Sequence, residues 1–226
     1  MSEERKPKQD IGTSAPAAIR QIARKDAFLQ ALQAFLREHP DNSWAVAAVD
    51  IQHFKLYNEL YGTAKGDALL NALAGCLLDY GKQTGYPVGY FGNDDFFLCL
   101  PDDKAEQTVV LSALQACVSP GKQDVTFFVV LGVCPVEGHS KSDVDALCNY
   151  AQIAGMAPGS ASNAIRRFEP SMLNELKEQQ QLLSELERAL DNHEFCFFLQ
   201  PKCNSMTRAI VGMEALVRWN HPTRGC

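Results

Sequence analysis

Residues 45–70, AVAAVDIQHFKLYNELYGTAKGDALL, constrain the fold more than any other stretch. Residues 45–49 form a short apolar run behind Trp44, and Asp50 ends it. A run of that length and type suits a strand buried on both faces, so Asp50 stands where a strand leaves the core. Phe54, Tyr57, Leu60 and Tyr61 recur at helical spacing and predict a short helix over residues 52–61. Gly62 closes it, and Gly66-Asp67 is expected to open the next helix with Asp67 near its N-terminus. The layout offers a carboxylate at a strand end, Lys55 one turn on, the amide Asn58 and a second carboxylate, Asp67, all able to face one cleft. The plainer alternative is that Asp50 caps a helix and Asp67 satisfies a helix dipole.

A second stretch, Tyr90-Phe91-Gly92-Asn93-Asp94-Asp95-Phe96-Phe97-Leu98-Cys99-Leu100, reads as strand, tight turn, strand. With Asp50, its adjacent acids supply hard oxygen ligands of the kind that hold Mg²⁺ beside nucleotide phosphates. The two stretches together resemble the GGDEF family of diguanylate cyclases. Asp50-Ile51-Gln52-His53-Phe54-Lys55 is similar to that family's D-x-D-x-F-K, Asn58 and Gly66-Asp67 to its N-D and G-D, and Gly92–Phe96 to G-G-D/E-E-F. The resemblance covers about residues 25–169.

The family makes cyclic di-GMP from two GTP molecules, each held by one protomer of a dimer. The resemblance therefore implies roles for particular residues. Asp50, Asp95 and the Ile51 carbonyl would hold Mg²⁺ or Mn²⁺. Asp94, with Asp95 the catalytic pair, would stand where the attacking ribose 3′-hydroxyl loses its proton. Asn58 and Asp67 would read the guanine edge, Lys55 would approach the phosphates, and Gly92 and Asn93 would line the nucleotide. The chemistry is sound. An Asp accepts from guanine N1–H and N2–H₂, and a cation with a metal offsets triphosphate charge.

The departures weigh as much. Asn93 replaces the second Gly; Asn tolerates positive φ, so the turn survives with a side chain added. Asp95 replaces Glu and is one methylene shorter. Residues 145–156 parallel D-x-A-L-Y-x-A-K-x-x-G-R, but the phosphate-gripping Lys and Arg become Gln152 and Met156. Each lost charge-assisted contact is worth roughly 1.5–3 kcal/mol. The inhibitory R-x-x-D falls on Gln83 and Tyr86. In place of the D-x-L-T-G-L-x-N entry the chain reads A-A-I-R-Q-I-A-R-K-D-A-F.

Composition narrows the setting. The 226 residues suffice for one well-buried domain plus a fragment. The net charge of -6 argues against a nucleic-acid partner. No apolar run approaches about 18–20 residues, and residues 1–11 are too polar for a signal peptide. The eight cysteines form no C-x-x-C pair and mostly sit in apolar runs, which predicts buried thiols in a reducing bacterial cytoplasm rather than disulfides or zinc. The histidines show no ligand spacing, and His53 is expected to face solvent.

In chain order, residues 1–16 read as a disordered tail and 17–38 as one helix. Helices follow over 67–80, 102–117 and 142–156, a hairpin over 86–100, and strands over 124–136 and 164–168. Residues 17–169 thus form an α+β, GGDEF-like domain with a palm-like mixed sheet flanked by helices. Residues 170–192 make a linker helix, with leucines near heptad spacing that suit a short coiled coil or a surface helix. Residues 193–226 resemble the start of an EAL domain, the family that hydrolyses cyclic di-GMP. There Glu214 would be the first metal ligand and Arg218 a phosphate contact. The rest of that barrel of roughly 250 residues is missing, so this stretch alone is no phosphodiesterase. A hairpin about Asn204-Ser205 is expected, its apolar face packing on the first domain or a second chain.

Three functions are in play. The first is a degenerate domain that binds GTP and metal weakly and tunes an attached EAL phosphodiesterase. The second is an active diguanylate cyclase. The third is a non-catalytic module that dimerises or docks partners.

Overall fold

An alanine- and valine-rich strand, β1 (Trp44–Ile51), lies at the centre of the molecule and is buried on both faces. In the computed structural model, which describes residues 17–40, 43–118, 127–138, 143–157, 164–223 and 225, it pairs antiparallel with β3 (Asp95–Pro101) and β4 (Val129–Pro135). β2 (Val88–Gly92) adds antiparallel to β3, and β5 (Ile165–Arg167) adds parallel to β4. The sheet order is β2-β3-β1-β4-β5. A mixed sheet flanked by helices was the expectation, and it is what forms. The expected tail, residues 1–16, lies outside the described residues, as do 124–126 of the expected 124–136 strand.

Alternation along β1 sorts the two faces. Ala45, Ala47, Val49 and Ile51 join Phe96, Leu98, Leu100, Leu131 and Val133 in one apolar cluster. It is completed by Leu69, Leu70, Leu73 and Leu77 of α4 (Thr63–Thr84), Leu111 and Leu114 of α5 (Lys104–Val118), and Ile19 of α1 (Ala17–Gln21). The opposite face carries α2 (Lys25–Glu38) and α6 (Val144–Met156). There Phe28 sits fully buried against Phe91 and Phe97. Gly132 lets α6 lie backbone on backbone: a Cβ at Gly132 would come within 2.0 Å of the Ala151 carbonyl oxygen.

The structure corrects three expectations. The single helix over residues 17–38 is broken at Ile22–Arg24. Ala23 forms a parallel bridge to Gly89, and its carbonyl accepts the Tyr90 N–H at 2.8 Å, which binds the chain to β2 while Ile22 is buried. The helix after Gly62 begins four residues early, at Thr63, so Asp67 stands in its second turn rather than at its start. Gly62, at φ +84°, both ends α3 (Phe54–Tyr61) and precedes α4, and nothing in Thr63-Ala64-Lys65 resists a helix. Finally, Cys76 and Cys117 form a disulfide between α4 and α5, where buried thiols were expected throughout. Their separation of 41 residues gives no local signal; helix packing brings them together. Cys99, Cys134 and Cys148 are buried free thiols, as expected.

The chain divides between Met172 and Leu173 into two compact units. The linker helix α7 (Pro170–Asp191) is exposed along most of its length, with Leu176, Leu183 and Leu190 all open to solvent. β6 (Phe195–Cys203) and β7 (Ile210–Trp219) form the expected hairpin, and the Asn204 side chain accepts the N–H groups of Met206 and Thr207 in its turn. His221 ties this hairpin to α7. Its Nδ1 accepts from the Thr223 N–H, so Nε2 carries the proton and donates to Glu185 at 2.9 Å. Phe197, Phe198, Val211, Met213 and Val217 remain exposed. No helix among the described residues is long and apolar enough to cross a membrane.

Candidate functional site

The site forms where β1 ends and the β2–β3 turn reverses. The last β1–β3 ladder pair is Val49 with Phe96. One step further in that register stand Asp50 and Asp95, opposite each other and on the α6 face. Asp94 completes the turn. Gly92 has φ +115° and Asn93 φ +52°, so the asparagine does take the left-handed conformation expected of it. Tyr90 Oη donates to the Asn93 carbonyl at 2.7 Å and holds the turn in place.

Electrostatics mark this cluster. Burial pushes the Asp50 carboxyl above its ordinary range, Asp94 and Asp95 push it further, and Arg166 opposes them. Burial likewise raises Asp94. Asp95 is raised by burial and by Asp94, and is relieved by a hydrogen bond from Gln152 Nε2 at 2.9 Å. Three half-buried carboxyls therefore share a region that is short of positive charge. Their oxygens are the hard donors that Mg²⁺ and Mn²⁺ take, so the donor chemistry fits a divalent cation. Among the described residues, however, no group of three His, Cys, Asp or Glu side chains is set out to hold an ion. Asp95 instead engages Gln152, which the resemblance places at a phosphate-gripping lysine.

The proposed base-reading residues lie on α3 and α4. Asn58 is half-buried, and its Oδ1 has no hydrogen-bond partner. Gly66 packs against that oxygen, and a Cβ there would come within 1.8 Å of it. An orphaned buried amide beside a glycine is costly unless a ligand satisfies it. Asp67 and Lys55 are exposed, and no ion pair among the described residues uses Lys55. His53 is exposed, with φ +60°. In the second unit, Glu214 and Arg218 lie four residues apart on β7, hence on one face. Glu214 pairs with Lys202 at 3.1 Å.

Two residues were missed by sequence reasoning. Arg166, on β5, donates to the carbonyls of Gly155 and Ala157 at the end of α6 and acts on Asp50. Arg24 places its guanidinium 5.1 Å above the Tyr90 ring. Only the fold brings Arg166 to Asp50 and Arg24 over Tyr90, although the R-K pair in the altered entry segment was a signal.

Residues 19–158 match the family described as diguanylate cyclase, GGDEF domain. The chain belongs to the GGDEF family. Residues 183–226 match the EAL domain, so an EAL stretch follows the GGDEF segment. The bifunctional diguanylate cyclase/cyclic di-GMP phosphodiesterase MucR of Pseudomonas aeruginosa is 28% identical over 207 residues, which cover 88% of this chain and 30% of MucR. The cyclic di-GMP phosphodiesterase PdeR of Escherichia coli is 25% identical over 237 residues, covering 100% of this chain and 35% of PdeR. The chain thus spans about a third of the length of these relatives. The isolated GGDEF domain of TpbB (YfiN) from Pseudomonas aeruginosa superposes with a TM-score of 0.58 at 21% identity, covering 72% of this chain and 99% of that one. The GGDEF domain of DgcB from Caulobacter crescentus, solved in complex with c-di-GMP, superposes with a TM-score of 0.54 at 18% identity, covering 69% and 96%. At these identities the solved structures establish the fold.

Proposed function

We propose that this GGDEF domain binds a guanine nucleotide with a divalent cation weakly and regulates an attached EAL phosphodiesterase, with little cyclase activity of its own. The observation that carries this reading is the orphaned Asn58 amide beside Gly66, within the same domain as the Asp50–Asp94–Asp95 acids. The amide suits a base edge, and the acids suit the cation that accompanies a triphosphate. Asp50, Asp95 and the Ile51 carbonyl would hold Mg²⁺ or Mn²⁺, which would supply charge neutralisation at the phosphates. Asp94 would accept the ribose proton. Asn58 and Asp67 would select guanine, with Lys55, Gly92 and Asn93 lining the phosphate side.

The weakness follows from Gln152 and Met156. Gln152 is neutral and already bonded to Asp95, and Met156 is exposed with nothing to offer an anion. Turnover would need two sites to meet, and phosphates held without those cations are poorly fixed for in-line transfer. A binding isotherm for GTP with Mg²⁺, run beside a chromatographic assay for cyclic di-GMP, tests the proposal. Measurable binding with little or no product supports it. Efficient synthesis would establish the cyclase instead, and no heat at millimolar GTP would leave an interaction module.

A further inference from the structure

We infer that Arg24 is a phosphate-binding residue of this site, reaching the signature turn from the Tyr90 side. This rests on the nucleotide-binding reading above. Arg24 follows the residue that stitches the chain to β2: Ala23 bridges Gly89, and its carbonyl accepts the Tyr90 N–H at 2.8 Å. The backbone at Arg24 is therefore fixed relative to the strand that leads into the signature turn. Arg24 is the N-cap residue of α2, in an extended conformation, and its side chain makes no cap hydrogen bond. The guanidinium lies 5.1 Å over the face of Tyr90. The hydroxyl of that ring is bonded to the Asn93 carbonyl, two bonds of chain from Asp94.

Stacking on an aromatic face orients a guanidinium while leaving its in-plane N–H groups free. Arg24 is exposed, and no ion pair among the described residues uses it. Its neighbour Lys25 is committed elsewhere, bonded to Asp145 of α6 at 2.8 Å. A pre-oriented, uncommitted guanidinium beside the turn is suited to bidentate contact with phosphate oxygens.

The test compares wild type with Arg24→Gln and Arg24→Lys, using GTP, GMP and guanosine with Mg²⁺ in calorimetric titrations, and thermal unfolding of each variant without ligand. Arg24→Gln should lose about tenfold in GTP affinity, as expected for one exposed charge-assisted contact. Guanosine affinity should be unchanged, and Arg24→Lys should recover part of the loss. Equal GTP affinity in wild type and Arg24→Gln overturns the inference while the nucleotide reading stands. An equal loss for GTP and guanosine overturns it too, by assigning Arg24 to the base. A loss accompanied by a matching drop in unfolding temperature makes Arg24 structural. No binding by wild type removes the nucleotide reading itself.

Discussion

Gly132→Ala would press directly on the joint between the sheet and the helix that carries Gln152. The new methyl would lie 2.0 Å from the Ala151 carbonyl oxygen, 2.3 Å from the Gly155 nitrogen and 2.7 Å from the Gly155 Cα. All three are backbone atoms, so no rotamer change relieves the clash. α6 must retreat by roughly 1.4 Å to restore an ordinary contact at the closest of these atoms, and a gap of even about 0.5–1 Å forfeits a quarter to a half of each dispersion contact across it. The side chains that lose contact are Val144, Leu147, Cys148, Ala151 and Ala154, all buried. With large apolar side chains contributing about 1.5–3 kcal/mol each on burial, the cost comes to roughly 2–4 kcal/mol. For a domain of this size the unfolding temperature should fall by roughly 5–15 °C. Urea titration followed by circular dichroism measures the free-energy cost and a thermal scan the temperature shift, with Gly75→Ala as the control. Gly75 lies within α4 and has open space at its Cβ, so alanine there should stabilise by about 0.5–1 kcal/mol. A Gly132→Ala protein within about 0.5 kcal/mol of wild type would refute the backbone-contact account.

Asp67→Ala should weaken GTP binding about tenfold or more by leaving guanine donors unpaired; unchanged affinity in a titration contradicts the base-reading role. Gln152→Lys should return a cation to Asp95, raising stability by about 0.5–1 kcal/mol and tightening GTP binding; a loss of both would show that the amide bond to Asp95 is the preferred arrangement. Asp102 pairs with Arg167 through two hydrogen bonds, one of 2.7 Å, which hold its carboxyl below the usual range. A depressed carboxyl contributes stability above its unfolded pKa and loses it as pH falls through the folded value. Arg167 is about half exposed, so Arg167→Ala should cost only about 1 kcal/mol at neutral pH, with the gap to wild type closing below about pH 4. Reducing the Cys76–Cys117 disulfide should destabilise the domain by up to about 4 kcal/mol from its 41-residue loop; no change in denaturation midpoint would mean the bridge does not form in solution.

The elements that read clearly in the sequence are those with strong local pattern. β1, the turn at Gly92-Asn93 and the helix at Phe54–Tyr61 each announce themselves by an apolar run, a turn dipeptide or a helical spacing. The acids of the site were legible for the same reason, since motif order places Asp50 opposite Asp95. What sequence could not show was set by contacts between distant residues. The break at Ala23 depends on a bridge to Gly89, the disulfide on two helices whose cysteines are 41 residues apart, and Arg166 on a parallel strand added last. Gln152 looked like a simple loss of charge. Only the packing of α6 on the sheet shows that it instead donates to Asp95 and occupies the acid a metal would need.

The stitch at Ala23 also bears on how two copies could meet. It plugs the outer flank of β2, and at the other flank β5 offers only three residues. At the five-stranded sheet, among the described residues, a second chain therefore finds no long backbone ribbon to extend. An encounter across this sheet between two copies of the proposed nucleotide site would rest on side chains and on the bound nucleotides, so such a pairing would come and go with its cargo.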